Sequence, residues 1–142
     1  MDSREDFRTA IESQPRWMAR AAELAAKALG ARTLTRWAPG ETVAVVGMGA
    51  STHAGTVFVE ALRAAGQRAV NVDASAVAHY LAGCPLADHV IVISESGRSP
   101  EPIAAARWWG IRPIVVTNVP ASPVAEVADL VVPLGGFTDS GV

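Results

Sequence analysis

Five short apolar runs, each containing β-branched residues, recur along the chain and limit the folds that it can adopt. They are residues 42–46, 69–72, 89–93, 114–117 and 130–132. Hydrophobic residues follow one another in these runs with little alternation, which is typical of strands buried on both faces of a parallel sheet. Segments with helical character separate them, at 51–65, 74–81, 99–109 and 122–128. Because parallel strands need such crossovers, the pattern predicts a right-handed β-α-β succession.

This succession predicts an α/β fold with a doubly wound, five-stranded parallel sheet in the flavodoxin-like order 2-1-3-4-5, flanked by helices. An alanine-rich stretch at 4–29 precedes the strands and predicts an N-terminal helical segment that ends at Gly30. Pro15 removes a backbone donor inside this stretch, so we expect two helices or a kinked one. We assign residues 1–40 to the helical segment and its connection, and residues 41–142 to the α/β domain.

Composition sets the class of protein. The chain has 142 residues, half of them hydrophobic and 18% charged, which indicates one globular core. Its net charge of -2, without a basic run, excludes an electrostatic footprint for nucleic acid. A single cysteine, Cys84, excludes an internal disulfide, fits a reducing cytoplasm and argues against a metal cluster. No apolar run approaches the roughly 20 residues of a membrane helix, and no secretory signal is visible. We therefore expect a cytoplasmic protein without membrane partner, metal or cofactor.

Two loops that combine glycine with serine follow the first and third predicted strands. One covers residues 47–55 and contains Gly49 and Ser51, and the other covers residues 94–102. In the predicted strand order, ligands bind between these two strands, outside their carboxyl ends. Each loop also precedes a helix, whose N-terminus offers unpaired N–H groups and the positive end of the helix dipole. The pair of loops therefore predicts a site for a phosphate group.

The second loop holds three serines, Ser94, Ser96 and Ser99, that are close enough in sequence to reach one anion. Gly97 lets the backbone turn closely around such an anion. Ser99 is followed by Pro100, which is also the usual start of a helix, so capping alone accounts for this serine equally well. The matching loop with Gly49 and Ser51 makes phosphate binding the better interpretation.

A dinucleotide-binding domain is the main alternative from the residues. Gly47 and Gly49 follow the first strand, and Asp73 ends the second strand, where an acid that binds ribose would stand. The dinucleotide motif requires a third glycine at position 52, where this chain has Thr52. This interpretation would also leave the serine-rich loop without a role, so it ranks below phosphate binding.

Five motifs, in order, resemble the sugar isomerase (SIS) domain family. They resemble its Glu-x-Gln-Pro segment, its glycine-serine loop, its phosphate loop L/I-S-x-S-G-x-S/T, its Asn-x-x-x-Ser loop and its G-x-E-x-G-V stretch. The segments that carry them are Glu12 to Pro15, Gly47 to Ser51, Ile93 to Ser99, Thr117 to Ser122 and Gly136 to Val142. The chain is most similar to the first isomerase subdomain of glutamine:fructose-6-phosphate amidotransferase and its double-SIS relatives.

The resemblance implies roles for individual residues. The phosphate of a sugar would be bound by Gly49, Ser51, Ser94, Glu95, Ser96, Gly97 and Ser99. Glu95 stands where the amidotransferases usually have glutamine, which places a carboxylate beside an anion. Either its backbone N–H alone faces the phosphate, or Arg98 compensates its charge, or the sugar differs from fructose 6-phosphate. Further candidates for contact with the sugar are His53, His79 and Glu101, although for Glu101 compensation of the helix dipole is the stronger interpretation.

The resemblance implies a domain that binds a hexose phosphate or an amino-sugar phosphate, in a protein of the isomerase, aminotransferase or deaminase type. In the family a second subdomain supplies the groups that open the sugar ring and move the proton, and this sequence contains no counterpart. Catalytic residues therefore stay unassigned, and we expect a second SIS domain or a homodimer partner to complete any aldose-ketose isomerase or aminotransferase activity. The alternative from a different class is a non-catalytic module that senses sugar phosphates.

Overall fold

A parallel sheet of five strands forms the centre of the fold. The structure, a computed structural model, describes residues 7–30, 37–81, 83–84 and 86–136, with Phe7 and Trp108 described by their backbone alone. The strands are β1 (Thr42–Gly47), β2 (Arg68–Asp73), β3 (His89–Ile93), β4 (Ile114–Thr117) and β5 (Leu130–Pro133). The helices are α1 (Phe7–Gly30), α2 (Ala50–Ala64), α3 (Ala74–Tyr80) and α4 (Pro100–Trp108), with a 3-10 turn at Ala125–Val127.

The strand order is β2-β1-β3-β4-β5 and every neighbouring pair is parallel, which confirms the predicted fold class and topology. The strand order switches direction at β1, because β2 lies on one side of β1 and β3 lies on the other. The register pairs Val43 with His89 and Val46 with Val92. The carboxyl ends of β1 and β3 are therefore adjacent, and so are the loops that follow them.

Side chains from β1 are buried on both faces of the sheet. Ala44 and Val46 pack in the apolar layer under α3 and α4, whereas Val43 and Val45 pack in the layer under α2. All four are completely inaccessible to solvent. Burial on both faces explains why the run reads as continuously hydrophobic in the sequence, with no polar residue between the apolar ones.

The N-terminal helix α1 packs against β5 at the edge of the sheet. It continues through Pro15 as one element, so of the two expectations the division into two helices is wrong, whereas a kink at Pro15 stays a prediction. Pro15 is exposed, and so is Ile11, whose carbonyl loses its helical donor at position 15, so water can reach that carbonyl. Within the described residues, no helix has both the length and the hydropathy needed to span a membrane.

The segment after β4 differs from its prediction. Residues 122–128 were expected to form a crossover helix, but only the 3-10 turn Ala125–Val127 forms there. The first turn does form, but the backbone becomes extended at Ala128, with ψ of 148°, and the N–H of Asp129 donates to the carbonyl of Pro113, 2.8 Å away, instead of to a carbonyl of the turn. The last SIS-like motif, beyond Gly136, lies outside the described residues.

Candidate functional site

A cavity of 280 Å³ opens at the carboxyl ends of β1 and β3, where the strand order places a ligand. Its walls are formed by the two loops that the sequence singles out and by the first turns of α2 and α4. The lining residues are Met48, Ala50, Ser51, Ile93, Ser94, Glu95, Ser96, Ser99 and Pro102. The structure thus brings together all four predicted serines and Glu95 around one space, with Gly49 and Gly97 in the same two loops.

Two carbonyl groups of the loop after β3, those of Glu95 and Gly97, are bonded to the protein. The carbonyl of Glu95 accepts hydrogen bonds from the N–H of Asn118, at 3.0 Å, and from the hydroxyl of Thr117, at 3.2 Å. The carbonyl of Gly97 accepts from the N–H of Val124. Three donors, one at the end of β4 and two on the segment after it, therefore bind the carbonyl oxygens of Glu95 and Gly97.

The amide groups of the same loop are the donors that stay available. Within the part of the chain that the structure describes, the N–H groups of Glu95, Ser96, Gly97 and Ser99 donate no hydrogen bond to the protein. The hydroxyl oxygen of Ser96 accepts from the N–H of Arg98 at 3.3 Å, so its own proton is free for an outside acceptor. Consecutive unpaired amides and hydroxyls of this kind form a concave binding site for an anion.

Gly97 allows this loop to lie against the segment after β4. Its φ of 65° is in the left-handed region, and a Cβ built on it would overlap the side chain of Ser122. Ser122 is 1% exposed, and its hydroxyl has no hydrogen-bond partner among the described residues. Sequence reasoning did not assign a role to Ser122 at the site; its one signal was its place in the Asn-x-x-x-Ser motif.

The loop after β1 contributes the N-terminus of α2. A side chain on Gly47 would place its Cβ 2.7 Å from the carbonyl carbon of Ser51, so the glycine is required by the close packing of helix and strand. Gly49 is the N-cap of α2 and offers no side chain to cap it. The positive end of this helix, 15 residues long, is thus directed toward the cavity.

Asp73, the residue that favoured the dinucleotide alternative, is engaged within the protein. Its carboxylate accepts from the backbone N–H of Ser75 at 2.9 Å, from the hydroxyl of Ser75, and from the hydroxyl of Thr52 at 3.2 Å. The Ser75 hydroxyl, followed by the Ser75 backbone N–H, lowers the pKa of Asp73 below its usual value. Asp73 therefore caps α3. Thr52, which stands where a dinucleotide motif has glycine, donates a hydrogen bond to Asp73.

Glu95 is the only charged residue among the described residues that line the cavity. Its Oε1 accepts a hydrogen bond of 3.2 Å from the side-chain amide of Asn118, and the amide oxygen of Asn118 accepts from the N–H of Gly136 at 2.7 Å. Among the described residues, no ion pair joins Glu95 to Arg98. The carboxylate is thus positioned by a buried amide.

The remaining sequence candidates lie outside the cavity wall. His53 is exposed on α2, and His79 is exposed near the end of α3, where its ring centroid is 6.3 Å from that of Tyr80. Glu101 is half-buried in the first turn of α4, with Oε2 buried and without a hydrogen-bond partner among the described residues. In the described part of the chain, no group of three or more His, Cys, Asp or Glu is arranged to hold a metal ion.

Comparison with known families agrees with this geometry. A model of the SIS domain family matches residues 38–134, which is more than half of the chain. The chain belongs to the SIS family. No curated protein sequence matches it at a significant level.

Solved structures share the fold of this SIS domain. A provisionally named phosphosugar isomerase from Silicibacter pomeroyi is 26% identical with a TM-score of 0.67, over 87% of this chain and 39% of that one. The sugar isomerase domain of the RpiR transcription factor from Sphaerobacter thermophilus is 25% identical with a TM-score of 0.58, over 89% and 72%. Vibrio vulnificus NanR, complexed with ManNAc-6P, is 22% identical with a TM-score of 0.62, over 90% and 58%. The chain therefore spans 58% of the NanR chain and 39% of the isomerase.

Proposed function

We propose that this SIS domain binds a phosphorylated sugar, either a hexose phosphate or an amino-sugar phosphate, in the cavity between the loops after β1 and β3. The phosphate is held by the hydroxyls of Ser51, Ser94, Ser96 and Ser99 and by the free amides of the second loop. The observation that carries this proposal is the orientation of that loop, whose carbonyls are bonded to the segment after β4 while its N–H groups are unpaired. The sugar phosphate named for the NanR structure supports the choice of ligand.

The chemistry of the cavity supports a domain that needs a partner for catalysis. A 1,2-proton shift requires a base beside the sugar carbons. Among the residues that line the cavity, Glu95 alone can accept a proton, and Asn118 already occupies one of its oxygens. We therefore place the catalytic groups of an isomerase, aminotransferase or deaminase on a second SIS domain or a second copy of the chain. We also propose that the chain corresponds to the first isomerase subdomain of the amidotransferases. In this proposal the SIS domain begins at residue 41, after the N-terminal helical segment.

An exposed apolar face marks where such a partner would lie. Val57 and Phe58 on α2 are 73% and 41% exposed, and Met48, which is 37% exposed, belongs both to the cavity wall and to the surface. Large apolar side chains in this position are typical of a protein contact.

A sensing module is the second candidate function. The similarity to the sugar isomerase domain of a transcription factor favours it, and so does a cavity wall with one ionisable side chain. Both candidates require the same phosphate site. They differ in whether the complete protein turns over its ligand, which a coupled assay with hexose phosphates and amino-sugar phosphates would measure.

The phosphate site is tested with the variant Ser96→Ala. A ligand at 100 times its dissociation constant adds about 2.7 kcal/mol of stability, so a thermal-shift panel of phosphosugars and NAD identifies the ligand class. Because a hydrogen bond to a charged group contributes about 1.5–3 kcal/mol, the variant should bind phosphosugar at least about tenfold more weakly with an unchanged melting temperature. Ser13→Ala, on α1, is the matched control. Unchanged affinity in Ser96→Ala, or stabilisation by NAD alone, would contradict the proposal.

A further inference from the structure

The cavity combines donors for an anion with a fixed negative charge. Eight of its nine lining residues are uncharged, and the ninth is Glu95, between two of the serines that face the phosphate. A carboxylate beside a phosphate raises the free energy of binding, because the two negative charges repel each other. A site built for a purely anionic sugar phosphate would gain affinity if Glu95 were neutral.

The hydrogen bond to Asn118 does not explain why residue 95 is a glutamate and not a neutral residue. Asn118 is 5% exposed, and its oxygen accepts from Gly136, so its amide nitrogen is the atom that faces Glu95. That nitrogen requires only an acceptor, which the side-chain oxygen of glutamine would provide equally well. The fold therefore needs an acceptor at position 95, and the negative charge has a separate role.

The protein also does not neutralise this charge. Within the described residues, Oε2 of Glu95 receives no hydrogen bond, and the guanidinium of Arg98 lies on the exposed surface without an ion pair. One carboxylate oxygen is therefore fixed by a buried neighbour, and the other accepts no hydrogen bond from the described residues, in a side chain that lines the cavity. A free acceptor with full negative charge binds a cationic donor better than a hydroxyl.

We propose that Glu95 is a specificity-determining residue that selects amino-sugar phosphates, with Oε2 accepting a hydrogen bond from the ammonium group of the ligand. This inference rests on the proposed phosphate site and narrows its ligand class. Asn118 is a positioning residue, since it holds the carboxylate without facing the ligand. The ligand supplies the positive charge that offsets the repulsion between Glu95 and the phosphate.

The test compares three ligands that differ in one substituent: glucosamine 6-phosphate, glucose 6-phosphate and N-acetylglucosamine 6-phosphate. Affinities are measured by titration calorimetry at about pH 6.5, where a sugar amine is protonated. The wild-type chain should bind the free amine about tenfold more tightly than either neutral analogue, the factor that one charge pair near the surface supplies. Glu95→Gln keeps the acceptor for Asn118, so the fold should be unchanged. In this variant glucose 6-phosphate should bind more tightly and glucosamine 6-phosphate more weakly, which erases the preference.

Glu126→Gln removes an exposed carboxylate from the 3-10 turn and is the matched control, in which the preference should persist. Equal affinities of the wild-type chain for the amine and its neutral analogues would overturn the role of Glu95 and leave the phosphate site standing. A preference that survives Glu95→Gln would overturn it as well. Failure of all three phosphosugars to bind would reject the phosphate site and, with it, this inference.

Discussion

The contact between Gly97 and Ser122 can be tested by adding one methyl group. In Gly97→Ala, the new Cβ would overlap the Oγ and Cβ of Ser122 and would lie 3.2 Å from Oγ1 of Thr117. Ser122 is buried, so neither side chain can move into solvent. The loop must then shift away from the segment after β4, which breaks the hydrogen bonds that orient its carbonyls.

The expected loss of stability has two parts. The left-handed φ of 65° costs an alanine about 1–2 kcal/mol relative to glycine. The overlap with a packed neighbour adds about 1–3 kcal/mol, the usual range for an extra methyl group in a tight interior. We therefore expect Gly97→Ala to lower the free energy of unfolding by about 2–5 kcal/mol and to abolish phosphosugar binding at concentrations that saturate the wild-type chain.

Gly110→Ala separates these two parts. Gly110 has nearly the same φ, 62°, but a Cβ on it would meet no atom within 4 Å. Urea unfolding should therefore show a loss of only about 1–2 kcal/mol for Gly110→Ala, with normal ligand binding. The second substitution Ser122→Gly in the Gly97→Ala chain removes the overlap, and a double-mutant cycle should give a favourable coupling of at least about 1 kcal/mol.

Equal losses in Gly97→Ala and Gly110→Ala would refute this reasoning, because the cost would then come from the backbone angle alone. Tight phosphosugar binding by a folded Gly97→Ala chain would refute it more directly, since the position of the loop would not matter to the anion.

Two further predictions concern other parts of the molecule. Hydrogen bonds from His89, at 2.9 Å, and from the backbone N–H of Ala38 hold the pKa of Glu41 below its ordinary 4.5. Because the folded-state pKa of Glu41 is the lower one, its stabilisation of the fold is complete above pH 4.5 and is lost as the pH falls through the folded value. The free energy of unfolding, measured at a series of acidic pH values, should therefore fall less steeply in Glu41→Gln than in the wild-type chain. An unchanged dependence on pH would contradict this. If the exposed face of α2 contacts a second copy of the chain, Val57→Glu should reduce self-association in sedimentation experiments. Because the side chain is exposed, the free energy of unfolding should change by no more than about 0.5 kcal/mol. An unaltered oligomeric state would exclude this face as the contact.

Much of the fold was predictable because burial on both faces leaves a direct mark on the sequence. A strand such as β1 has Val43, Ala44, Val45 and Val46 inaccessible to solvent, and such a run has few alternatives to a parallel sheet. The turn at Ala125–Val127 was mispredicted for a tertiary reason, since the N–H of Asp129 bonds to the carbonyl of Pro113, before β4, and the backbone is already extended at Ala128. Local patterns contain no record of such a partner.

The candidate site was predictable to the extent that topology determines it. Once β1 and β3 were expected to be neighbours, Ser51 and Ser96 had to lie on loops that meet. The positions of His53 and His79 were not predictable in this way, because they depend on which faces of α2 and α3 point to solvent. Asn118 and Ser122 were quoted for their motif alone, since their contacts with the phosphate loop depend on the packing of two loops.

In the proposed site, the two loops would obtain affinity for an anion by different physical means. The loop after β1 offers the positive end of the dipole of a 15-residue helix, whose first-turn N–H groups of Ser51 and Thr52 donate to the carbonyls of Met48 and Gly49. The loop after β3 depends on neighbours that do not line the cavity: Thr117 and Asn118 hold the carbonyl of Glu95, and Val124 holds that of Gly97. Free amides in a short loop stay oriented only while their carbonyls are fixed elsewhere. The affinity of the second loop for an anion would therefore depend on the end of β4 and the segment after it. For this reason, a substitution that separates the loop from that segment should weaken binding as much as the loss of a serine that faces the phosphate.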